Sequence, residues 1–344
     1  MDYTRYGINI TQKTIHMDEN IVAVKTIKER FCIKGNAISV LINDVMEQFE
    51  QPSSVDYAIS ILSAKYNTEL LNRVVSLLIE KTVLIKHDES ITLIECDKTL
   101  LEKTIYYTLG DMTLDEVTRL MEKMKIGIIG TSQLIYSILD NMIGSELLNS
   151  FNIGVTNTNE GTSFCREDIE VTEFPLADNL EQLDTLIESS DFVIVASNYN
   201  DHYLFSKVNE ICCGNNKRWL RVVVDGYKSE VGPIVIPNDT CCYECMRTRN
   251  KQNMSEDEYV FDNLDQMQSK KRQPAEYNSM YPLYSIVSGI SSAEIIKYYA
   301  GMKCNLLNQV IMIDCVDFRT QIDYIYKVYS CAVCGREDTI KVWV

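Results

Sequence analysis

Two tight cysteine turns, Cys242-Tyr-Glu-Cys245 and Cys331-Ala-Val-Cys334-Gly335, constrain this chain more than any other feature. Each C-x-x-C sets two thiolates on one side of a single turn. Together the turns supply four sulfurs for the closed tetrahedral shell that zinc prefers, each at about 2.3 Å from the ion. The gap between the pairs is far longer than in an ordinary zinc ribbon, so the site would staple an internal loop to the C-terminal region. With Cys242, Cys245, Cys331 and Cys334 all on metal, no position is left for a reactive water, and the expected zinc is structural. The alternative is that these are unpaired or redox cysteines. Cys241 could compete with its neighbour as a ligand, but the spacing favours Cys242. The other cysteines read as core fillers.

The chain has 344 residues, which suits two or three domains. Its twelve cysteines follow an N-terminus with no secretory pattern, so reduced thiols and a cytoplasmic location are expected. The net charge of −16, with no stripe of Lys and Arg, argues against nucleic acid as the main partner. No apolar stretch reaches the roughly 18 residues that a membrane span needs.

Residues 1–95 read as a separate unit. Short β-rich pieces come first, at Ile8–Ile10, Thr14–Met17, Ile21–Ile27 and Phe31–Ile33. Three helices follow. Asn36 is expected to cap the first, which carries Ile38, Leu41, Ile42, Val45, Met46 and Phe49 on one face. Ser53 or Ser54 caps the second. The third begins near Asn67 or Thr68 and buries Leu71, Val74, Val75, Leu78 and Ile79. Strands at Thr82–Ile85 and Ile91–Ile94 close the unit, an order that fits a winged helix-turn-helix. Residues 96–123 read as a helical connector.

From residue 124 to 344 strands alternate with helices, as in a doubly wound, mostly parallel Rossmann-like α/β sheet. Lys125–Gly130, Phe151–Val155, Asp191–Ala196 and Leu220–Val224 are buried-type strands. Asn250–Tyr277, charged and poor in apolar residues, reads as a crossover loop. Tyr281–Ala300 is a helix ending at Gly301, and Val310–Ile313 and Ile322–Val328 are late strands. The turn after the first of these strands reads Gly130-Thr131-Ser132-Gln133-Leu134-Ile135. Only the first glycine of a G-x-G-x-x-G phosphate turn is present; Ser132 and Ile135 hold the other positions. No ribose-gripping acid ends the second strand, where Asn157 and Asn159 lie. A competent nucleotide site is therefore not expected.

The segments Asp191-Phe-Val-Ile-Val-Ala-Ser197, Val224-Asp-Gly-Tyr227, Gly232-Pro-Ile-Val-Ile-Pro237 and Cys242-Tyr-Glu-Cys245 resemble, in this order, the ThiF/MoeB adenylating enzymes. Pro274-Ala275, the helix at Ser285–Tyr299 and the second cysteine pair continue the likeness. Within that family the chain is similar to the microcin C adenylyltransferase and to subunits of azole-forming peptide cyclodehydratases. In both, a winged-helix peptide clamp precedes the adenylating-type domain. The resemblance implies that residues 1–95 bind a precursor leader peptide as an added strand. Its edge would be Arg30, Phe31, Cys32, Ile33 and Lys34, and its helix face Leu71, Val74, Val75 and Leu78; filling the domain's own core is the other reading of that face.

In the adenylating site that the resemblance implies, Gly130 and Ser132 stand at the phosphate turn and Asp201 at the magnesium-holding aspartate. Asn157 or Asn159 replaces the acid, and Arg166 lies in the arginine loop without its motif. An amide carries no charge to replace a carboxylate beside a metal-bound polyphosphate. The implied role is a non-catalytic subunit, with no catalytic residues of its own and a vestigial ATP–magnesium site. It would present a leader to a YcaO-type cyclodehydratase that forms thiazolines or oxazolines, raising the local substrate concentration. A dehydrogenase subunit of the same complex and a second copy in a homodimer are the other implied partners. The alternative is an active enzyme that adenylates a peptide carboxylate. A winged-helix nucleic-acid binder fits poorly, because Asn67–Lys81 sets only Arg73 and Lys81 against Glu69 and Glu80. His16, His87 and His202 share no ligand spacing; His202 stands apart only by following Asp201 at a strand's C-terminal end.

Overall fold

The computed structural model describes residues 4–8, 13–25, 30–86, 119–144, 148, 150–156, 170–176, 180, 182–270 and 281–335. The chain forms two compact units, Met1–Asp115 and Glu116–Val344.

In the first unit, β1 (Arg5–Ile8), β5 (Ser53–Ser54) and β6 (Leu84–Lys86) form one antiparallel sheet in the order β5-β1-β6. A second antiparallel sheet, β2-β3-β4, comprises Lys13–Asp18, Ile21–Lys25 and Arg30–Lys34. Three helices, α1 (Ile38–Gln48), α2 (Val55–Leu62) and α3 (Thr68–Glu80), bury Leu41, Val45, Ala58, Leu71, Val75 and Leu78 in a shared core with Val22 and Val24. Ser54 caps α2 through Tyr57 N–H, and Asn67 caps α3 through the amides of Glu69 and Leu70. Asn36 does not cap α1. The capping position is Ala37, held left-handed at φ 53°, and its amide donates to Asn20 Oδ1. A side chain from the preceding hairpin thus does what a local cap was expected to do. The strand expected at Ile91–Ile94 and most of the 96–123 connector lie outside the described residues.

The second unit is an eight-stranded sheet in the order β14-β13-β12-β11-β10-β7-β8-β9. The strands β7 (Lys125–Gly130), β8 (Ser150–Val155), β9 (Glu170–Pro175), β10 (Phe192–Ser197) and β11 (Arg218–Asp225) run parallel. Antiparallel strands β12 (Lys228–Val235), β13 (Gln309–Asp314) and β14 (Arg319–Tyr324) extend the far edge. Successive β10 residues face opposite sides. Phe192 meets Tyr299 of α9 (Tyr281–Tyr299), which packs with α4 (Ser132–Ile143) on one face. Val193 and Val195 pack with α5 (Leu183–Glu188), α6 (His202–Gly214) and the start of α7 (Tyr243–Asn253) on the other.

Several features differ from the sequence reading, among them β1, which covers Arg5–Ile8 where Ile8–Ile10 was expected, and β12, which was not expected. Strand β9 was not expected, because an edge strand need not be apolar and Glu170 and Glu173 hide its pattern. Strand β14 begins three residues early, at Arg319, because Asp314 Oδ1 accepts Val316 N–H and a short turn through Phe318 (φ 53°) closes the hairpin. The crossover segment is largely helical, with α8 spanning Glu256–Lys270. Its start is a capping box: Glu258 accepts from the Ser255 amide, and Ser255 Oγ accepts from the Glu258 amide. Helix α9 ends as expected. Gly301 is left-handed at φ 67° and the Met302 amide returns to Lys297 O.

Because β8 and β9 lie on one side of β7 and β10 on the other, the strand order switches between β7 and β10. Gly130 sits at that switch with φ 143°, and a Cβ there would fall 1.6 Å from Ala196 O. Gly130→Ala should therefore destabilise the second unit by more than about 3 kcal/mol, read as a lowered urea midpoint. A wild-type midpoint would show that the two strands can separate cheaply.

Candidate functional site

The four cysteines meet in space. Their sulfurs all lie within 4.8 Å of one another. Cys242 Sγ is 3.8 Å from Cys245 and 3.5 Å from Cys331, and Cys245 is 3.4 Å from Cys334. Sulfurs on a tetrahedral ion at about 2.3 Å stand about 3.8 Å apart, whereas a disulfide needs about 2.05 Å. The cluster therefore fits a metal ion and not two disulfides. Cys242 occupies the N-cap of α7, and the Val328 amide donates to Cys245 Sγ at 3.3 Å. Cys242, Cys245 and Cys331 are buried. Cys241 is also buried, but its backbone is tied away to Asn308, consistent with Cys242 being the ligand.

At the switch point, one backbone donor of the turn is already used within the sheet. The Thr131 amide, the first donor of the turn, already donates to Ala196 O at 3.0 Å. Gly130 O accepts from Thr156 N–H. Gly130 thus permits the close approach of two strands, and Ser132 opens α4. Thr131 Oγ1 is buried with no hydrogen-bond partner among the described residues. Asp201 is 1% exposed and caps α6: its Oδ1 accepts the Leu204 amide and its Oδ2 accepts Tyr199 Oη–H. Asn157, Asn159 and Arg166 lie outside the described residues.

Beside Asp201 the structure assembles a buried polar cluster that sequence reasoning missed. His202 Nδ1 is 2.7 Å from Tyr243 Oη, and its Nε2 is 3.1 Å from Asp262 Oδ1 on α8. Asp262 is also near Arg247 and Lys251 of α7, at 3.8 and 3.6 Å. Arg221, 2% exposed, donates to Glu230 and Asn200 and lies over the rings of Phe205 and Tyr243. Burial, then the Arg247 guanidinium, push the His202 pKa down to about 3 against the opposing pull of Asp262. The ring is neutral, so it can donate from Nε2 to Asp262 while Nδ1 accepts from Tyr243. The signal for this cluster was the Asn200-Asp201-His202 run after a buried strand; its partners on α7 and α8 are far away in sequence.

In the N-terminal unit, β4 pairs with β3 alone among the described residues, which makes it an edge strand. Arg30, Cys32 and Lys34 are exposed, Phe31 is half-buried and Ile33 is buried. The Lys81 ammonium lies 5.7 Å from the Phe31 ring, setting the end of α3 beside this strand. Leu71, Val74, Val75 and Leu78 point into the core, at 0 to 6% exposure. The helix face expected to meet a peptide is therefore used in packing against the unit's own strands. The side chains of α3 toward solvent include Leu70, Asn72, Arg73 and Ser76, with Leu77 and Ile79 half-buried.

A model of the ThiF family matches residues 160–328. Among solved structures, the chain is similar to E. coli MccB, at 17% identity and a TM-score of 0.76 over 97% of each chain. It is also similar to the microcin C7 biosynthetic enzyme MccB in complex with N-formylated MccA, at 16% identity and a TM-score of 0.70, covering 96% of this chain and 100% of that one. The heterocyclase TruD matches at 13% identity and a TM-score of 0.62, over 96% of this chain but 43% of TruD. At these identities the likeness is one of fold. No curated protein matches.

Because the folded His202 pKa lies below its unfolded value, the neutral ring contributes stability that is full above about pH 6.5 and is lost as pH falls toward 3. His202→Gln should flatten that part of the pH–stability curve, measured as urea midpoints between pH 7.5 and 4. Equal slopes in both proteins would show that folding does not lower the His202 pKa.

Proposed function

We propose that this chain, which carries a ThiF-family domain with the fold of MccB, captures the leader of a ribosomally made precursor peptide and presents it to a separate modifying enzyme. The observation that carries this reading is the edge strand β4, whose outer amides and carbonyls can pair with an added strand. The N-terminal unit then acts as a winged helix-turn-helix peptide clamp. The leader lies along Arg30–Lys34 and against the solvent side of α3 near Leu77 and Lys81. Two comparisons support a peptide partner: MccB has been solved with MccA, and TruD is a heterocyclase. The modifying enzyme is a YcaO-type cyclodehydratase that forms thiazolines or oxazolines. Tethering a leader raises the effective concentration of the attached core without new contacts at the reacting atoms.

The ThiF-type domain is non-catalytic in this reading. Its first turn amide is used by Ala196, its Asp201 carboxylate caps a helix, and Ser132 and Ile135 replace two glycines. The ion held by the four cysteines is zinc, and its role is structural, because protein sulfurs fill all four positions. A second reading, an active adenylating enzyme, is favoured by the match along the whole of MccB, which has also been solved with ATP.

Calorimetry with a leader peptide encoded beside the gene, and separately with ATP–magnesium, discriminates between the two. Micromolar leader binding without nucleotide heat is expected. Phe31→Ala and Leu77→Ala should each weaken leader binding about tenfold, near 1.4 kcal/mol. Pyrophosphate release on mixing ATP and peptide would sink the non-catalytic reading. Elemental analysis should find one zinc per chain, absent in Cys331→Ser, with Tm lower by roughly 5 °C or more. Full zinc in that variant would rule out the four-sulfur site.

A further inference from the structure

The outer face of β4 is basic on a chain that is strongly acidic. The sequence holds 49 Asp and Glu against 33 Lys and Arg. On this edge, however, Arg30, Cys32 and Lys34 alternate toward solvent, and all three are exposed. Lys25, also exposed, stands directly opposite Arg30 on β3. Among the described residues no carboxylate forms an ion pair with Lys25, Arg30 or Lys34. In the row of Lys34, Asp18 lies two strands away, about 10 Å by strand spacing. Its Oδ1 is occupied by the Asn20 amide. The inner face of β4 is apolar: Ile33 is buried, and Phe31 packs with Leu77 against the core of the unit.

An open edge whose outward charges share one sign discriminates between the strands that could join it. A second copy of the same edge is repelled, because Arg30 of one would meet Lys34 of the other across the new pair. An acidic strand is drawn in, because each carboxylate would stand opposite a cation at cross-strand distance. Residues directly opposite share a face in parallel and antiparallel pairs alike, so the added strand must follow the alternation of β4. We propose that the leader segment added to β4 is acidic on its outer face and apolar on its inner face. It carries Asp or Glu at two positions four residues apart, opposite Arg30 and Lys34, and apolar side chains opposite Phe31 and Ile33. This inference rests on the leader-binding reading and names the chemistry by which the edge selects its peptide.

The test is fluorescence anisotropy of the full chain with labelled, overlapping short tiles of the precursor encoded beside its gene. The tiles that bind should contain the two acids and the apolar residues between them. Exchanging both acids for Lys should weaken binding by about tenfold or more. Arg30→Glu with Lys34→Glu should lose the acidic tile by a similar factor and gain the Lys-exchanged one. Thermal unfolding of that double variant should be unchanged, because both side chains are exposed. Affinity of the wild type for the acidic tile should fall as added salt shortens the reach of the charges. Binding tiles that lack the acid spacing, or affinities indifferent to the charge exchange, would overturn this inference and leave leader capture standing. If neither the tiles nor the whole precursor bind, the leader-binding reading falls and this inference with it. Tighter, salt-dependent binding of a mixed-sequence DNA duplex, lost in the same double variant, would make the patch a nucleic-acid contact and refute the acidic peptide.

Discussion

Cys242 stands at the N-cap of α7 with its sulfur 3.5 Å from that of Cys331, so one contact joins a helix start to a turn near the end of the chain. Much of the second unit follows from that junction. The next residue, Tyr243, is driven into the core against Phe205 and Trp219, and its hydroxyl meets His202. The other face of the imidazole meets Asp262, and Asp262 fixes α8. A metal-sized cluster thus determines, through one tyrosine and one neutral histidine, where a distant charged helix can rest. Buried polar chains of this kind are stable only when every member is satisfied. Here most are, and the Nε atoms of Arg221 and Arg247 lack partners among the described residues.

The switch point of the sheet shows how a familiar-looking glycine can have a structural cause. Gly130 reads as the start of a phosphate turn. In the fold it is required because β7 and β10 approach until no Cβ fits between Gly130 and Ala196 O. The same approach uses the Thr131 amide, and the same loop uses Asp201 as a cap. Gly130 and Asp201 thus each have a structural cause in this sheet.

Most secondary structure was legible where local physics decides it. The apolar run Phe192–Ser197 could only be a buried strand, the caps at Ser54 and Asn67 follow from side-chain chemistry, and Gly301 ends α9 because it tolerates positive φ. The capping box Ser255–Glu258 was present in the sequence too, yet the charge of the segment concealed it. The errors fall where a distant residue substitutes for a local signal. Asn20 holds the start of α1 in place of Asn36, and the Asp314 turn moves β14.

The sequence by itself determined the two C-x-x-C turns, because a short spacing fixes the direction of both thiols whatever surrounds them. It also determined the alternation of strands and helices, since burial on two faces demands continuous apolar runs. Only the tertiary structure brought those cysteines within 4.8 Å and gathered His202, Tyr243 and Asp262 from three separate elements. It alone decided that Leu71, Val74, Val75 and Leu78 fill a core while Phe261, Leu264 and Met267 of α8 stay exposed. Helical periodicity shows that a helix has an apolar side. Which side is covered depends on what the rest of the chain packs against it.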